Sequence, residues 1–297
     1  MRVNPNPYPD LLAALNQTQQ EINIDEEQLA TGYSVNSPSD DPAAAAVLVQ
    51  NAAQTSQVDQ YQRSIGSIQG EMQDADSALN SVISALQQAI SLGTEGANDT
   101  ENSSDREAIA TQVEGIRSQL LSLANLTYQG NYVFAGTATQ TQPYVLDPTS
   151  NSGVTYEGNG GINKVTLGNN FTLQTNVPGT QLFSSQGTDM FQAIQDLITG
   201  LGVGDSTLIG TAVNELSAAS QAISSQSVFY GNALSELNSQ QTYLSTEATQ
   251  LAQQQNTEGA ADLPAVITNL TTAETSEQAT LDAVAQTAHT NLFQYLR

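Results

Sequence analysis

The chain has 297 residues, with 6 Lys and Arg against 30 Asp and Glu, a net charge of -24 at pH 7 with its single histidine neutral. Proteins that bind polyanions neutralise phosphates with clustered Lys and Arg, and the scattered Arg2, Arg63, Arg106, Arg117, Lys164 and Arg297 form no patch, so nucleic acid and anionic membrane surfaces are excluded as partners. The absence of cysteine removes disulfides, thiol nucleophiles and cysteine-based zinc sites. A hydrophobic content of 38% with 5% aromatics is lean for a compact globule and suits long helices that each bury one stripe.

The N-terminus holds no apolar run of signal-peptide length, so any export is expected to proceed without a cleaved general-secretion signal. Pro5, Pro7 and Pro9 argue against helix before Asp10, after which Leu15, Ile22 and Leu29 continue a seven-residue recurrence from Tyr8. In Ser37-Pro38-Ser39-Asp40-Asp41-Pro42 the prolines stiffen the chain, and Ser39, Asp40 and Asp41 are candidate caps for a helix whose first turn is Pro42-Ala43-Ala44. From Val58 the apolar series Val58, Tyr61, Ile65, Ile68, Met72, Ala75, Leu79, Val82, Leu86, Ala89 alternates steps of three and four, a coiled-coil-like seam.

Gly93 to Ser104 reads as a connection, with Ser104 and Glu107 as a capping box for a helix carrying Ile109, Val113, Ile116, Leu120 and Leu123. From about Gly130 to Phe183 short alternating runs (Tyr132 to Phe134, Val154 to Tyr156, Val165 to Leu167, Phe171 to Leu173) predict a small β-rich insertion, with a hairpin at Gly168-Asn169-Asn170. A third rod repeats every seven residues: Ile209, Leu216, Ile223, Tyr230, Leu237, Leu244, Leu251. At the C-terminus Leu263, Ile267 and Leu270 are followed by Glu274 and Glu277, then Leu281, Val284, Ala288 and Tyr295. Each end alone is a weak amphipathic helix; together they can pair and leave apolar surface for neighbouring copies.

Catalytic chemistry finds little support. His289, the lone histidine, sits in the C-terminal amphipathic segment with no second histidine to chelate, and there is no P-loop, dinucleotide fingerprint or HExxH. Asp40 and Asp41 invite a metal reading, but the segment lacks the alternating acids and distal glutamate of an EF-hand loop. No catalytic residue, cofactor or metal is expected.

Several motifs, in order, carry a resemblance. Gln28-Leu29-Ala30-Thr31-Gly32-Tyr33-Ser34-Val35-Asn36, then Pro38-Ser39-Asp40-Asp41-Pro42-Ala43, Asp105-Arg106, Ala124-Asn125, Gly130 to Thr137, Pro143-Tyr144, Tyr156-Glu157-Gly158, Gly231 to Leu234, Glu258 with Asp262, and the ending Leu292 to Arg297 are similar to the flagellin and hook-associated protein superfamily. The Ser-Asp-Asp-Pro wording resembles the form found in members at the hook-filament junction. The resemblance implies a non-enzymatic structural component, exported by the flagellar type III apparatus and self-associating into a ring. Its implied partners are the hook-side junction protein, flagellin and a cytoplasmic export chaperone.

The expected architecture is mainly α: a long-helix coiled-coil bundle formed by the N- and C-terminal halves, with a small central β-rich domain. The resemblance assigns 1–41 and 256–297 to terminal helices forming an axial coiled coil, 42–129 and 206–255 to the long-helix bundle, and 130–205 to an outer β-rich domain ending in a short helix. Leu15, Ile22, Leu29, Leu270, Leu281, Val284, Leu292 and Leu296 are the expected subunit-contact residues. A short flagellin that forms the filament itself is the competing reading, and a secreted enzyme or adhesin on a helical stalk is a distant third.

Overall fold

A computed structural model describes residues 8–98, 101–168, 171–185 and 187–295. The chain is mainly helical, as expected. In order come α1 (Tyr8–Thr31), α2 (Pro42–Gly96), α3 (Ser103–Ala124), strands β1 (Thr127–Tyr128), β2 (Asn131–Tyr132), β3 (Tyr144–Leu146), β4 (Val154–Tyr156), β5 (Lys164–Thr166) and β6 (Thr172–Gln174), then α4 (Gly179–Leu182), β7 (Ser184–Ser185), β8 (Thr188–Asp189), α5 (Met190–Val203), α6 (Ser206–Gly259) and α7 (Leu263–Tyr295). The strands form four separate antiparallel pairs in sequence order. Two compact units result, Met1–Gln57 with Thr246–Arg297, and Val58–Ser245.

Aspartate and asparagine caps set most of the helix starts. Asp41 Oδ1 accepts from the amides of Ala43 at 2.9 Å and Ala44 at 3.0 Å, with Pro42 in the first position, where its missing N–H removes nothing. Asp189 caps α5 through Phe191 and Gln192, Asp205 caps α6 through Thr207 and Leu208, and Asp262 reaches the amide of Ala265 at 3.3 Å to open α7. At α3 the cap is Asn102, whose Oδ1 accepts from Asp105 N at 3.0 Å while its Nδ2 donates to Asp105 Oδ2 at 2.6 Å. The box expected at Ser104 and Glu107 therefore lies two residues earlier. α1 likewise starts at Tyr8, two residues ahead of Asp10, because Pro9 is tolerated in a first turn.

In the Val58–Ser245 unit, the seam read from the sequence is the core. Val58, Ile65, Ile68, Met72, Ala75, Leu79, Val82, Leu86 and Ala89 are all buried, and Tyr61 is half-buried. Ile209, Leu216, Ile223, Tyr230, Leu237 and Leu244 are buried on α6, as are Ile109, Val113, Ile116 and Leu120 on α3. α2 and α6 run antiparallel here: Gln69 Nε2 donates to Asn238 Oδ1 at 2.9 Å, and further along Ser227 Oγ donates to Asp76 Oδ1 at 2.7 Å. α2 continues to Gly96 and does not stop at Gly93, so the connection to α3 is shorter than expected. A Cβ at Gly93 would lie 2.6 Å from Val213 Cγ2 and 2.9 Å from Leu197 Cδ1, and one at Gly96 would collide with Leu201. These glycines mark close helix approach.

The strand pairs share an aromatic core with α5. Tyr144 packs on Phe183 at 5.7 Å, on Phe191 at 5.1 Å and on Tyr156 at 5.0 Å between ring centroids, and Phe134 meets Phe183 edge-on at 5.6 Å. Asn125, directly after α3, fastens this core. Its Nδ2 donates to the Tyr144 carbonyl at 2.8 Å and its Oδ1 accepts from the Tyr144 amide at 2.9 Å. The hairpin expected near Gly168 is the β5–β6 pair, in which Leu167 N donates to Phe171 O at 2.8 Å; Asn169 and Asn170 lie outside the described residues.

Candidate assembly interface on the terminal helices

The unit made of the two chain ends begins with a helix stop. Gly32 closes α1 at φ +76°, a left-handed conformation that costs glycine little, and its amide donates to Gln28 O at 2.8 Å. Gln28 Nε2 holds the Ser34 carbonyl at 3.2 Å, and Asn36 Nδ2 holds the Tyr33 carbonyl at 3.0 Å. Asp40 then gathers the amides of Asn36 at 3.0 Å and Ser37 at 2.7 Å, with the Ser37 hydroxyl at 2.9 Å. These hydrogen bonds, led by that from Ser37, hold the Asp40 carboxyl below its ordinary value. Of the three candidate caps only Asp41 caps the helix; Asp40 organises the turn, and Ser39 bonds to the Ser37 hydroxyl at 2.5 Å. Pro38 and Pro42 are exposed on either side.

The same turn is clasped to the loop before α7. Ser34 N donates to Gly259 O at 2.8 Å, Ala261 N donates to Gly32 O at 3.0 Å, and Tyr33 and Ala260 form an antiparallel bridge. α1 and α7 leave this clasp and pack against each other antiparallel. Among the described side chains, those withdrawn from solvent on α1 are Leu11, Leu15, Thr18, Ile22, Asp25 and Gln28; on α7 they are Val266, Leu270, Ala273, Glu277, Thr280, Ala283 and Val284. A stripe with so many polar members buries little apolar area for its length. Burial, with Glu21 second, raises the Asp25 carboxyl above its ordinary range.

The expected contact residues divide into two sets. Leu15, Ile22, Leu270 and Val284 are half-buried on the faces that α1 and α7 turn inward. Leu29 and Leu281 stay exposed, at 40% and 43% of their accessible surface. Leu292 belongs to α7 but its side chain, with that of Ala288 and Tyr295, lies outside the described residues, as does Leu296 entirely. The α7 stripe also departs from the expected one: Val266 and Ala273 are buried, while Leu263 and Ile267 are exposed. Both registers pass through Leu270 at steps of three and four. The one adopted places small Ala273 at the contact, in a groove that α1 lines with Glu21, Ile24 and Asp25.

Leu12 and Ile24, which the heptad reading missed, and Leu263 and Ile267, which it placed in the seam, complete the solvent-facing apolar set. Leu12 and Ile24 are exposed on α1, as is Leu29, and Leu263 and Ile267 are exposed on α7, as is Leu281. The signal was available in Leu11-Leu12 and in Ile22-x-Ile24, where two apolar residues lie too close in sequence to share one helix face. Among the described residues no helix is long and apolar enough to cross a membrane.

Comparison with known proteins agrees with this architecture. The family model for the bacterial flagellin N-terminal helical region matches residues 6–139. Flagellar hook-associated protein 3 of Escherichia coli strain K12 is 38% identical over 119 residues, which cover 40% of this chain and 38% of that protein. Among solved structures, a Vibrio parahaemolyticus protein assigned as a flagellar hook-associated protein superposes with a TM-score of 0.68 at 21% identity, over 73% of this chain and 98% of that one. The flagellar junction protein FlgL of Legionella pneumophila superposes with a TM-score of 0.61 at 13% identity, over 72% and 100% of the two chains. At such identities these two show the shared fold alone. In sequence the chain is similar over residues 6–139 to the flagellin N-terminal helical region, and it spans 38% of the length of hook-associated protein 3, which it matches at 38% identity.

Proposed function

We propose that this protein is a structural, non-catalytic component of the bacterial flagellum that joins hook to filament as a ring of subunits and templates filament assembly. The observation that carries the reading is the 38% identity to hook-associated protein 3. The terminal unit supports it physically: helices 1–41 and 256–297 would form the axial layer, with Leu12, Ile24, Leu29, Leu263, Ile267 and Leu281 available to neighbouring copies. Residues 42–129 and 206–255 would form the surrounding bundle, and 130–205 the outward β-rich part. The hook-side junction protein and flagellin would abut the ring, and a cytoplasmic chaperone would guard the apolar residues of α7 before type III export.

A short flagellin is the second reading, favoured by the match of residues 6–139 to a region that flagellins share. Deletion of the gene separates the two. On the junction reading, mutant cells build hooks without filaments and release flagellin into the medium. Filaments of ordinary length on the mutant would overturn the junction reading, and loss of flagellin itself from the released protein would favour the second.

A further inference from the structure

Residues 8–57 and 246–295 contain no Lys or Arg. Over the same stretch α1 carries Asp10, Glu21, Asp25, Glu26 and Glu27, and α7 carries Glu274, Glu277 and Asp282. Where paired helices commonly set cations beside carboxylates, these set amides. Gln19 Nε2 donates across the pair to Glu277 Oε1 at 3.2 Å, Gln17 Nε2 to Glu21 Oε1 at 3.1 Å, and Gln278 Nε2 to Asp282 Oδ1 at 3.3 Å. An amide orients a dipole toward the carboxylate but cancels none of its charge, so repulsion between the helices persists. Asp25 lines an open groove of about 380 Å³ with Glu21, Ile24, Asn269, Thr272, Ala273 and Ser276, in which the only other charge is also negative.

The attraction that must outweigh this repulsion is thin, because Thr18 and Asp25 interrupt the inward stripe of α1 and Glu277 and Thr280 that of α7. Packed helix axes lie about 8–10 Å apart. Electrostatic screening acts over about 30 Å at 0.01 M salt and about 3 Å at 1 M, so the interhelical repulsion is felt in full at the first and is lost at the second. We propose that docking of α1 on α7 is governed by mobile cations: the pair opens at low ionic strength and closes as cations screen its carboxylates. The effect is one of screening, without a discrete ion site, and does not depend on the flagellar reading. It gives the acidity of the terminal unit a consequence, because the ends of the chain order only in a sufficiently saline medium.

The test is hydrogen exchange on the full chain in NaCl from 0.01 to 1 M, repeated with choline chloride and with MgCl2 at matched ionic strength, and on the variant Glu21→Gln/Asp25→Asn/Glu277→Gln. Exchange across 8–31 and 263–286 is expected to slow about tenfold or more as either monovalent salt rises, with 206–245 unchanged as the internal reference. The neutralised variant is expected to be protected already at low salt, which separates screening from the general strengthening of apolar contacts by salt. Salt-independent exchange in α1 and α7, protection by MgCl2 with choline chloride inert, or an undiminished salt response in the variant would each overturn the proposal.

Discussion

Ser34 donates its backbone N–H to the carbonyl of Gly259 at 2.8 Å across 225 positions of sequence, and its hydroxyl reaches the same oxygen at 3.2 Å. With the return bond from Ala261 N to Gly32 O, this short clasp sets where α1 turns back and where α7 begins. The two terminal helices are weak individually, so the clasp supplies their register.

Breaking one strand of the clasp is therefore expected to loosen both helices. Ala261→Pro removes the N–H that Gly32 O accepts, a loss on the order of 1 kcal/mol. Amide exchange in 8–31 should accelerate about fivefold while 206–245 is unchanged. Unaltered exchange in α1 would show that helix packing alone sets the register.

Asn125 makes the strand region depend on one side chain. Asn125→Ala removes the acceptor of the buried Tyr144 amide, while the Tyr144 carbonyl keeps its second donor, Gln142 Nε2 at 3.0 Å; the expected loss is about 1–3 kcal/mol, and Asn125→Asp, which keeps the acceptor, should lose less. Urea unfolding followed by near-ultraviolet circular dichroism of the tyrosines reads this directly. Equal midpoints for wild type and alanine variant would contradict it.

Much of this organisation is legible in the sequence, and the exceptions share physical causes. The seam from Val58 to Ala89 and the heptads from Ile209 to Leu244 are core because a long helix with one partner face must bury what recurs at that spacing. Gly93 and Gly96 read as linker residues, yet they lie inside α2, where Leu197, Val213 and Leu201 press on the backbone; sequence alone does not distinguish a flexible glycine from a crowded one. Side-chain size does not reveal the stripe of α7: Leu263 and Ile267 are larger than Val266 and Ala273 yet face solvent, and the groove at Ala273 is lined on α1 by the carboxylates of Glu21 and Asp25 with Ile24. The aromatic cluster of Phe134, Tyr144, Phe183 and Phe191 joins segments too far apart for any local period to reveal.

Acid should favour the terminal pair over a defined range. The Asp25 carboxyl is raised by burial, so between its ordinary and its raised value the folded state holds more protons than the unfolded state. Stability of the α1 and α7 pair therefore rises as pH falls through the raised value, and the gain is complete below the ordinary one. Asp40 works in the opposite sense: its carboxyl is lowered by the Ser37 and Asn36 hydrogen bonds, so its contribution is present at neutral pH and is lost as pH falls through that lowered value. Exchange protection of 8–31 is thus expected to increase from neutral pH into the mildly acidic range and to decline in stronger acid. Asp25→Asn should flatten the first limb; an unchanged first limb in that variant would remove Asp25 as its cause.

The central claim is that this chain sits between hook and filament. Gold labelling of intact flagella with an antibody against residues 130–185, viewed by electron microscopy, tests it most directly. The account predicts a single narrow band where hook meets filament; label along the whole filament, or elsewhere on the cell, would contradict it.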